Sequence, residues 1–506
     1  MRRIFSPSIL PYLAVILSLC LVWLLLLQLE NPVSLDDGLR HFAMARLMTE
    51  QGIGTAEWSQ FFSHGYFAHH SVDPWFLSNL AFIPLLSFGP VLALKLFALC
   101  SVFLLLISFL YACSVFRASP LVTAVGIGLL LFFDPSFFYR LLVARPYELV
   151  TPFAVIIIAA AISKRSFLIG IALTLCVLLS QIFIFPLLIA LLAVAWRISL
   201  RDWREAGTLL FWISFGVLIG FWLHPDSLEY VLYMHDTFLR IPLLPGVRLG
   251  VEMQSGFVLG SRVVVVLGIL TLLHVVLLKE GMTYRKYLQS GLFFLAALTG
   301  LFTVLFFFWA RSIDFLWPIL ILLLVLSLSV SPGIFSRTIA AMLPRKFCPS
   351  LRIRVFVLFL LLSSVFLAMA YTLTATDADR SLEVYAQALQ NIPADSSMLT
   401  VDWHFFMPAV LVRPDLKYAT GIDPSYTYLD NPRVLELLAS LGTPKFKSSP
   451  TESDLREWLQ NILALYPSDY LVLFRSKHAA VIDQFEKSGM KDLSRSAEVA
   501  VFAKET

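Results

Sequence analysis

The sequence predicts an α-helical, multi-pass membrane protein of about eleven transmembrane helices with a C-terminal extracytoplasmic α/β or α+β domain. Hydrophobic residues make up 58% of the chain and charged residues only 14%, whereas about 25% of a soluble protein is charged. Apolar runs close to the bilayer-spanning length of about 20 residues recur from Ile9 to Tyr371, and the remainder has globular composition. We therefore predict a membrane body over residues 1–373 and a soluble domain over residues 374–506.

Eleven apolar segments are candidate membrane spans, so the two chain ends are expected on opposite sides. Outside the C-terminal domain, the connections on one side hold most of the Lys and Arg residues, and the positive-inside rule assigns that side to the cytoplasm. This places the N-terminus inside and the C-terminal domain outside, in a bacterial inner (plasma) membrane. The spans are 9–29, 91–115, 120–138, 147–163, 166–180, 183–197, 207–223, 258–278, 289–308, 315–331 and 355–373.

The N-terminus resembles a cleavable signal, because Arg2 and Arg3 precede an apolar run. The run reaches Leu29, which is longer than a typical signal core, and no small-residue cleavage site follows, so we interpret it as a retained span. None of the five cysteines lies in a segment placed on the outer side of the membrane, which argues against a disulfide framework or a cysteine metal site. A net charge of +4 is too small to indicate nucleic acid as a partner.

Two outer segments are expected to lie at the membrane surface. Trp75–Phe88 is too short and too rich in proline for a span, so we predict an interfacial or re-entrant helix. His224–Gly256 is a long connection that either caps a lipid-lined cavity or only joins two spans. The residues expected on the apolar side of an interfacial helix there are Leu228, Val231, Leu232 and Phe238.

The soluble domain alternates helix-like and strand-like segments. Helical spacing covers Ser381–Gln390, Asp454–Ala464 and Ala479–Lys487, and the short strands are Tyr470–Phe474 and Val499–Ala503. The domain has no glycine-rich phosphate loop and no paired-cysteine motif, and the chain has no visible internal repeat.

The first outer loop, residues 31–90, concentrates acids and histidines. We predict a surface helix over Ser34–Glu50 in which Asp37 and His41 share one face, an arrangement suited to proton abstraction or metal binding. Asp36, Asp37 and His41 are therefore the candidate catalytic residues. The alternative is structural, because Ser34 and Asp37 have capping-box spacing and acids favour a helix N-terminus.

The same loop could also bind a divalent cation, which is the one candidate cofactor. Carboxylate and imidazole groups are common metal ligands, and the candidate set is Asp36, His69, His70 and Asp73. No spacing within the loop distinguishes a metal site from a loop that tolerates histidine.

Arginines on the outer face are the candidate phosphate-binding groups. Arg140 and Arg145 lie between the third and fourth spans, and Arg311 lies between the ninth and tenth. Arginine at the outer membrane edge runs against the charge rule, and its planar fork suits an anionic phosphate. The alternative is local pairing, of Arg145 with Glu148 and of Arg311 with Asp314, combined with snorkelling.

The arrangement resembles the GT-C superfamily of membrane glycosyltransferases that use polyprenyl- or dolichyl-phosphate sugars. These include protein O-mannosyltransferases, the related bacterial family 39-like proteins, the aminoarabinose transferase of lipid A and oligosaccharyltransferase catalytic subunits. The resemblance rests on the acidic loop Ser34–His41, the membrane-hugging segment His70–Trp75 and the outer-face segment Tyr139–Tyr147. The junction Arg311–Asp314 and the segment Thr420–Pro424 also look like bacterial members.

The resemblance implies an inverting glycosyl transfer from a polyprenyl-phosphate-linked sugar, a membrane-borne donor available outside the cytoplasm. Asp36 or Asp37 would deprotonate or orient the acceptor, or hold the cation, and basic side chains would hold the lipid phosphate. An adjacent Asp-Asp replaces the Asp-Glu of the mannosyltransferases, and the Trp-Trp-Asp motif of oligosaccharyltransferases is absent. The acceptor, whether lipid, glycan or protein, therefore stays open.

Two other function classes compete with a transferase. A transporter, flippase or glycan polymerase usually places ionisable groups near the bilayer midplane, whereas Lys95, Asp134 and Arg262 lie toward the outer ends of their spans. A non-catalytic assembly subunit would have no need for Asp36, Asp37 and His41 together.

Overall fold

The computed structural model describes residues 38–143, 145–241, 262–279, 284–330, 382–448 and 450–504. The chain divides into two compact units. The first contains residues 1–30, 95–223 and 251–377, and the second contains residues 31–94, 224–250 and 378–506. The first outer loop thus groups with the C-terminal region, and a domain boundary at residue 373 stays a prediction.

The first unit is a bundle of helices wherever the structure describes it. A helix lies at each predicted span from 91–115 to 315–331, whereas the predicted spans 9–29 and 355–373 lie outside the described residues. The helices are Pro90–Val115, Pro120–Phe132, Pro135–Leu142, Tyr147–Ile162, Ser166–Leu179, Ile184–Ser199, Trp203–Leu223, Val263–Lys279, Tyr284–Gln289, Leu292–Phe308 and Ile313–Val330. Short 3-10 turns, Gln181–Phe183 and Ala310–Ser312, precede two of them.

Four described helices are long and apolar enough to cross a membrane: Pro90–Val115, Gln181–Ser199, Trp203–Leu223 and Ile313–Val330. In the third of these, Trp203 and Trp222 are 65% and 75% exposed and lie about 28 Å apart along the axis, at about 1.5 Å per residue. Tryptophans at that separation match the two interfaces of a bilayer. The chain is an integral membrane protein.

The predicted span 120–138 is wrong in its second half, because the helix ends at Phe132 and a separate helix begins at Pro135. Proline lacks the backbone N–H of a helix interior and favours the first helical position. Asp134 caps the new helix, since its Oδ1 accepts from the Phe137 amide at 3.0 Å. The break places Arg140 near the end of a short helix, where the dipole favours a cation.

Close helix packing in the first unit depends on small residues. Helices Ser166–Leu179 and Trp203–Leu223 cross with Gly170 against Gly216, where a Cβ on Gly216 would collide with the Gly170 carbonyl. Thr174 Oγ1 also donates to the Gly216 carbonyl at 2.9 Å. Small residues allow helix backbones in a membrane to approach closely and to bond across the contact.

The second unit contains a four-stranded sheet with the order β2-β1-β3-β4. The strands are Ser397–Thr400 (β1), Lys417–Tyr418 (β2), Tyr470–Phe474 (β3) and Val499–Ala503 (β4). Strand β1 pairs in parallel with both β2 and β3, and β4 pairs antiparallel with β3. The positions of β3 and β4 were predicted, whereas β1 and the two-residue β2 gave no sequence signal.

Helices surround this sheet and form the rest of the second unit. Around the sheet lie Leu382–Leu389, Phe406–Val412, Pro424–Asp430, Pro432–Ser440, Pro444–Ser448, Glu452–Leu465 and Arg475–Lys487, with a 3-10 turn at Trp403–Phe405. The outer loops contribute Gly38–Gln51, Trp58–Phe61, Tyr66–His69, Phe76–Phe82, Ile83–Phe88, Ser227–His235 and the π-helical turn Asp236–Arg240. Thr451 and Asp454 form a capping box that begins one helix at Glu452, two residues before the predicted start.

The predicted surface helix of the first outer loop is instead part of a core. Helix Gly38–Gln51 packs on Phe406–Val412 and Phe76–Phe82, and ten of its residues are buried, including Arg40 and His41. In the sequence, the apolar residues of this helix form one face, which indicated a helix that contacts its surroundings on one side only. Burial of the polar face requires partners that sequence periodicity does not reveal.

Helix Ser227–His235 is apolar on two sides. Tyr230 and Tyr233 are completely buried in the second unit. Leu228, Val231 and Leu232 are 74%, 48% and 47% exposed, as expected for an interfacial face. Phe238 is only half-buried, because the π-helical turn Asp236–Arg240 changes the helical period.

Candidate functional site

Three arginines surround one tyrosine ring in the first unit. The guanidinium carbons of Arg311, Arg145 and Arg140 lie 4.4, 5.9 and 6.0 Å from the centre of the Tyr147 ring. Arg311 Nη2 also donates to the Tyr147 hydroxyl at 2.8 Å. The structure therefore brings together all three arginines that the sequence singled out as phosphate-binding candidates.

Arg140 is held by an acid that lies far away in sequence. Its Nε donates to Asp314 Oδ1 and its Nη2 to Asp314 Oδ2 at 2.7 Å, a bidentate pair whose side chains are only 13% and 6% exposed. Such a fork-to-fork pair is geometrically specific. Local pairing of Asp314 with Arg311 was the alternative to phosphate binding, and the structure pairs Asp314 with an arginine 174 residues away.

Local structure explains why these side chains converge. Arg140 lies in the last turn of helix Pro135–Leu142, and Arg145 directly precedes Pro146. A residue before proline is disfavoured in helical conformation, so the chain turns and the next helix begins at Tyr147. Arg311 lies in the 3-10 turn that leads into the buried helix Ile313–Val330.

The cluster of Arg140, Arg145, Tyr147, Arg311 and Asp314 holds three guanidinium groups and one carboxylate. Guanidinium groups bind phosphate oxygens with two parallel N–H bonds. Because Arg140 forms a bidentate pair with Asp314, its guanidinium is the least suited of the three to bind an anionic ligand. Arg140 is better suited to fix the position of the start of helix Ile313–Val330.

The candidate acids Asp36 and Asp37 lie outside the described residues. The helix that follows them, Gly38–Gln51, is described from its first residue and is buried at Arg40 and His41, which are 2% and 0% exposed. The Arg40 guanidinium lies 4.1 Å from the centre of the Trp75 ring, a cation–π contact. The segment that follows the two acids is therefore firmly held.

A buried hydrogen-bond network links His41 to Asp73. His41 Nδ1 contacts Asn79 Oδ1 at 2.7 Å, and Asn79 Nδ2 donates to Asp73 Oδ2 at 2.7 Å. Asp73 Oδ1 accepts from Trp58 Nε1 at 3.0 Å and from the Trp75 backbone amide at 3.2 Å. All five side chains are buried, so each polar group depends on its protein partners.

The network fixes the tautomer of His41. A carboxyl oxygen of Asp73 accepts from the Asn79 NH₂ group, so the Asn79 carbonyl oxygen must face His41. An amide oxygen only accepts, so His41 Nδ1 carries the proton and donates. His41 is fully buried between Trp58 and Trp75, a place that favours a positioning role over direct contact with an acceptor.

His224 joins the network through the main chain. Its Nε2 donates to the Asp73 carbonyl at 2.9 Å, and its Nδ1 accepts from the Asp226 amide at 3.1 Å. Burial lowers the pKa of His224 to about 4, which keeps the ring neutral as this bonding requires. Burial also raises the pKa of Asp226 to about 6 and that of Asp73 above its ordinary value.

The structure does not bring His69, His70 and Asp73 together as one set of metal ligands. His70 Nδ1 contacts Glu229 at 3.0 Å, His69 lies 3.9 Å from Asp430, and Asp73 bonds to Trp58 and Asn79. Within the described ranges, no three His, Cys, Asp or Glu side chains are grouped to hold a metal ion. Asp36, the fourth member of the predicted set, lies outside those ranges.

Sequence reasoning missed Tyr147, Asn79, Trp58 and His224 as members of these clusters. Asn79 had a detectable signal, since it is the one amide side chain in the largely apolar segment Trp75–Phe88. Tyr147 and His224 gave no such signal, because their partners lie 164 and 151 residues away.

Comparison with known proteins identifies the fold. No family model matches the sequence, and no curated protein matches it. Among solved structures, the chain is similar to the oligosaccharyltransferase of Archaeoglobus fulgidus in the apo form, with a TM-score of 0.58 and 11% identity over 91% of this chain and 69% of that one.

The chain is also similar to ArnT from Cupriavidus metallidurans. The apo state gives a TM-score of 0.57 and 16% identity over 98% of both chains. The state bound to undecaprenyl phosphate gives 0.53 and 14% identity over 97% of this chain and 98% of that one. At these identities the likeness establishes the fold alone, and this chain shares the fold of these two solved proteins.

Proposed function

We propose that the chain is a membrane glycosyltransferase that transfers a sugar from a polyprenyl-phosphate-linked donor to an acceptor on the outer face of a bacterial inner membrane. The observation that carries the proposal is the convergence of Arg145 and Arg311 on Tyr147 in a helical membrane unit of GT-C fold. ArnT of Cupriavidus metallidurans, which shares this fold, binds undecaprenyl phosphate. A lipid phosphate is the anion that this environment would supply.

The proposed reaction inverts the anomeric centre. The acceptor oxygen forms a bond to the anomeric carbon as the bond from that carbon to the phosphate oxygen breaks. The acceptor loses its proton to a carboxylate, for which we propose Asp36 or Asp37. Polyprenyl phosphate leaves with the bonding electron pair, and the guanidinium groups of Arg145 and Arg311 stabilise its negative charge.

The second unit supports the role proposed for the acids. Asp36 and Asp37 directly precede a helix that is anchored by Arg40 on Trp75 and by His41 on Asn79. A catalytic group performs well only when neighbouring side chains fix its position. We therefore propose that His41, Asn79 and Asp73 are positioning residues for the acids. A divalent cation held in part by Asp36 stays open.

Donor binding by Arg145 and Arg311 can be tested with the purified full-length protein in lipid nanodiscs. Loss of one charged phosphate partner costs about 1.5–3 kcal/mol, so Arg311→Met should weaken undecaprenyl-phosphate binding by about ten- to a hundredfold. Arg311→Lys should restore only part of the affinity, because lysine lacks the bidentate fork. The same pattern is expected at Arg145.

Arg165→Met provides a matched control. Arg165 lies over the Tyr111 ring at 5.7 Å and its Nη1 donates to the Tyr111 hydroxyl, so it repeats the arginine–tyrosine contact elsewhere in the same unit. Its replacement should leave affinity unchanged. If Arg311→Met binds as wild type does but gives less folded protein, Arg311 is structural and the donor site is elsewhere.

The transfer step is tested with a panel of polyprenyl-phosphate sugars and the variants Asp36→Asn and Asp37→Asn. The amide keeps shape and capping ability but removes basicity. The catalytic position should lose about 10²–10⁴ in rate at unchanged expression. Wild-type turnover in both variants would rule out this loop as the source of the base.

A further inference from the structure

A crevice opens at one edge of the sheet in the second unit. Its lining residues lie between Val401 and Val481, far along the chain from the acids and arginines described above. Strands β1 and β3 are parallel neighbours, yet the chain leaves β1 toward β2 on one side and returns to β3 on the other. The connections at the carboxyl ends of such strands diverge, and ligands of open α/β sheets bind in the crevice between them. Here that crevice has a volume of about 700 Å³.

Charged side chains from three segments line the crevice. Asp402 follows β1, Lys477 and His478 follow β3, and Lys447 comes from helix Pro444–Ser448. Asp402 accepts from Lys477 Nζ at 2.6 Å and contacts His478 Nε2 at 3.1 Å. Although burial alone would raise the pKa of Asp402, its hydrogen bonds from His478 and Lys477 lower it, so the carboxylate is ionised.

Ionisation of Asp402 defines the hydrogen bonding of His478. A carboxylate only accepts, so His478 Nε2 carries a proton and donates it to Asp402. The side chain is 9% exposed, and its Nδ1 has no hydrogen-bond partner among the described residues. A buried polar atom without a partner in the wall of a crevice indicates a group that a ligand can satisfy.

The backbone at His478 shapes the wall of the crevice. Its φ and ψ of −125° and 28° interrupt helix Arg475–Lys487, so that a regular helix restarts at Ala479. Ala479, Ala480 and Val481 line the crevice.

We propose that this crevice binds a phosphate group, carried either by a soluble molecule or by a lipid headgroup, through Lys447, Lys477 and His478. The charges favour an anion, since two lysines line the crevice and Asp402 is its one acidic residue among those described. A single carboxylate and a single histidine are too few for a metal site. The proposal does not depend on glycosyl transfer.

Lysine labelling of the full-length wild-type protein in phosphatidylcholine nanodiscs tests the proposal. A trace amine-reactive acetylating reagent is applied with inorganic phosphate or with chloride at equal ionic strength, and mass spectrometry measures each lysine. Bound phosphate slows the labelling rate by a factor of one plus the ratio of phosphate concentration to Kd. This factor is about three when the phosphate concentration is twice Kd. We expect this protection at Lys447 and Lys477, and none at Lys445 or Lys491.

A second arm separates the two sources of phosphate. Nanodiscs that contain phosphatidic acid replace the added phosphate, and protection in this arm alone identifies a lipid headgroup. Protection of Lys447 and Lys477 that does not exceed that of Lys491 in either arm overturns the proposal. Because both arms use the wild-type chain, the result does not depend on whether a variant folds.

His478→Gln tests the role of the histidine ring. Glutamine can still donate to Asp402 through its Nε2 atom but lacks the second ring nitrogen. The variant should keep the wild-type melting temperature and lose most of the phosphate protection at Lys447. Full protection in a folded His478→Gln protein would exclude Nδ1 from the site.

Discussion

At the scale of single residues, the buried carboxyl group of Asp73 determines the hydrogen bonding of groups that it does not touch. It receives donors at both oxygens, from Trp58 and Trp75 at Oδ1 and from Asn79 at Oδ2. The orientation of the Asn79 amide follows, and from it the protonated nitrogen of His41. A chain of buried donors and acceptors in which each member has one allowed orientation transmits a change at one end to the other.

We predict energetic coupling between Asp73 and His41. Asp73→Asn would place an NH₂ group against the Asn79 NH₂ group, so Asn79 must either lose a bond or turn and present a donor to His41. The double variant Asp73→Asn with His41→Gln should therefore depart from additivity by about 0.5–3 kcal/mol in the free energy of unfolding. The control pair is Asp73→Asn with Arg46→Gln, since exposed Arg46 contacts Glu50 on the helix surface. If the free energies of unfolding were additive in both pairs, the predicted coupling between Asp73 and His41 would be contradicted.

The neutral His224 ring predicts a pH effect on stability. Its pKa is about 4 in the folded protein and about 6.5 when unfolded, so between these values the unfolded chain binds the extra proton. Stability from this group is therefore present above about pH 6.5 and is lost as the pH falls toward 4. In His224→Gln that loss disappears, while the amide can still donate to the Asp73 carbonyl.

Melting temperatures of wild type and His224→Gln from pH 7.5 to 4.5 measure this effect. The comparison is needed because the raised pKa values of Asp226 and Asp73 act with the opposite sign in the acid range, and both groups are present in each protein. We expect the advantage of the wild type to shrink as the pH falls. A constant difference between the two curves would show that His224 does not titrate with a lowered pKa.

At the scale of secondary-structure elements, the contact between helices Ser166–Leu179 and Trp203–Leu223 depends on the absence of a side chain at Gly216. A Cβ there would meet the Gly170 carbonyl, which belongs to a helix backbone and cannot turn away. Helix association in a membrane draws on close packing rather than on exclusion of water, so a forced separation also loses the Thr174 bond to Gly216.

Gly216→Ala should therefore destabilise the protein, by about 1–3 kcal/mol as expected for overpacking. The matched control is Gly207→Ala in the same helix, where an added Cβ meets no atom within 4 Å. That change should be neutral or slightly stabilising, because alanine is the better helix former. Thermal unfolding of both variants in detergent measures the difference. Equal melting temperatures for the two variants would contradict the packing argument.

At the scale of the whole molecule, we predict that the C-terminal domain is extracytoplasmic. Basic residues concentrate in alternating connections, and insertion retains such connections in the cytoplasm. An alkaline phosphatase reporter fused after Thr506 should be active, and the same reporter fused after Arg201, in a basic connection, should be inactive. An inactive Thr506 fusion together with an active Arg201 fusion would reverse the predicted topology.

The sequence by itself determined the membrane-spanning character of the chain, the positions of the four long apolar helices and the strands β3 and β4. These features depend on local composition and period, which are present in any window of about 20 residues. The same local signals failed at Asp134. This residue caps a new helix that begins at Pro135, and the apolar run is divided there into two helices.

Only the tertiary structure decided which polar groups meet. The pairing of Arg140 with Asp314, the packing of Arg311 on Tyr147 and the bond of His224 to the Asp73 carbonyl each join residues more than 150 positions apart. The parallel pairing of β1 with β3 is likewise a long-range contact and creates the crevice at Asp402. Such contacts leave no local signal, because the side chain of each partner is compatible with many surroundings until folding buries it and requires a specific donor or acceptor.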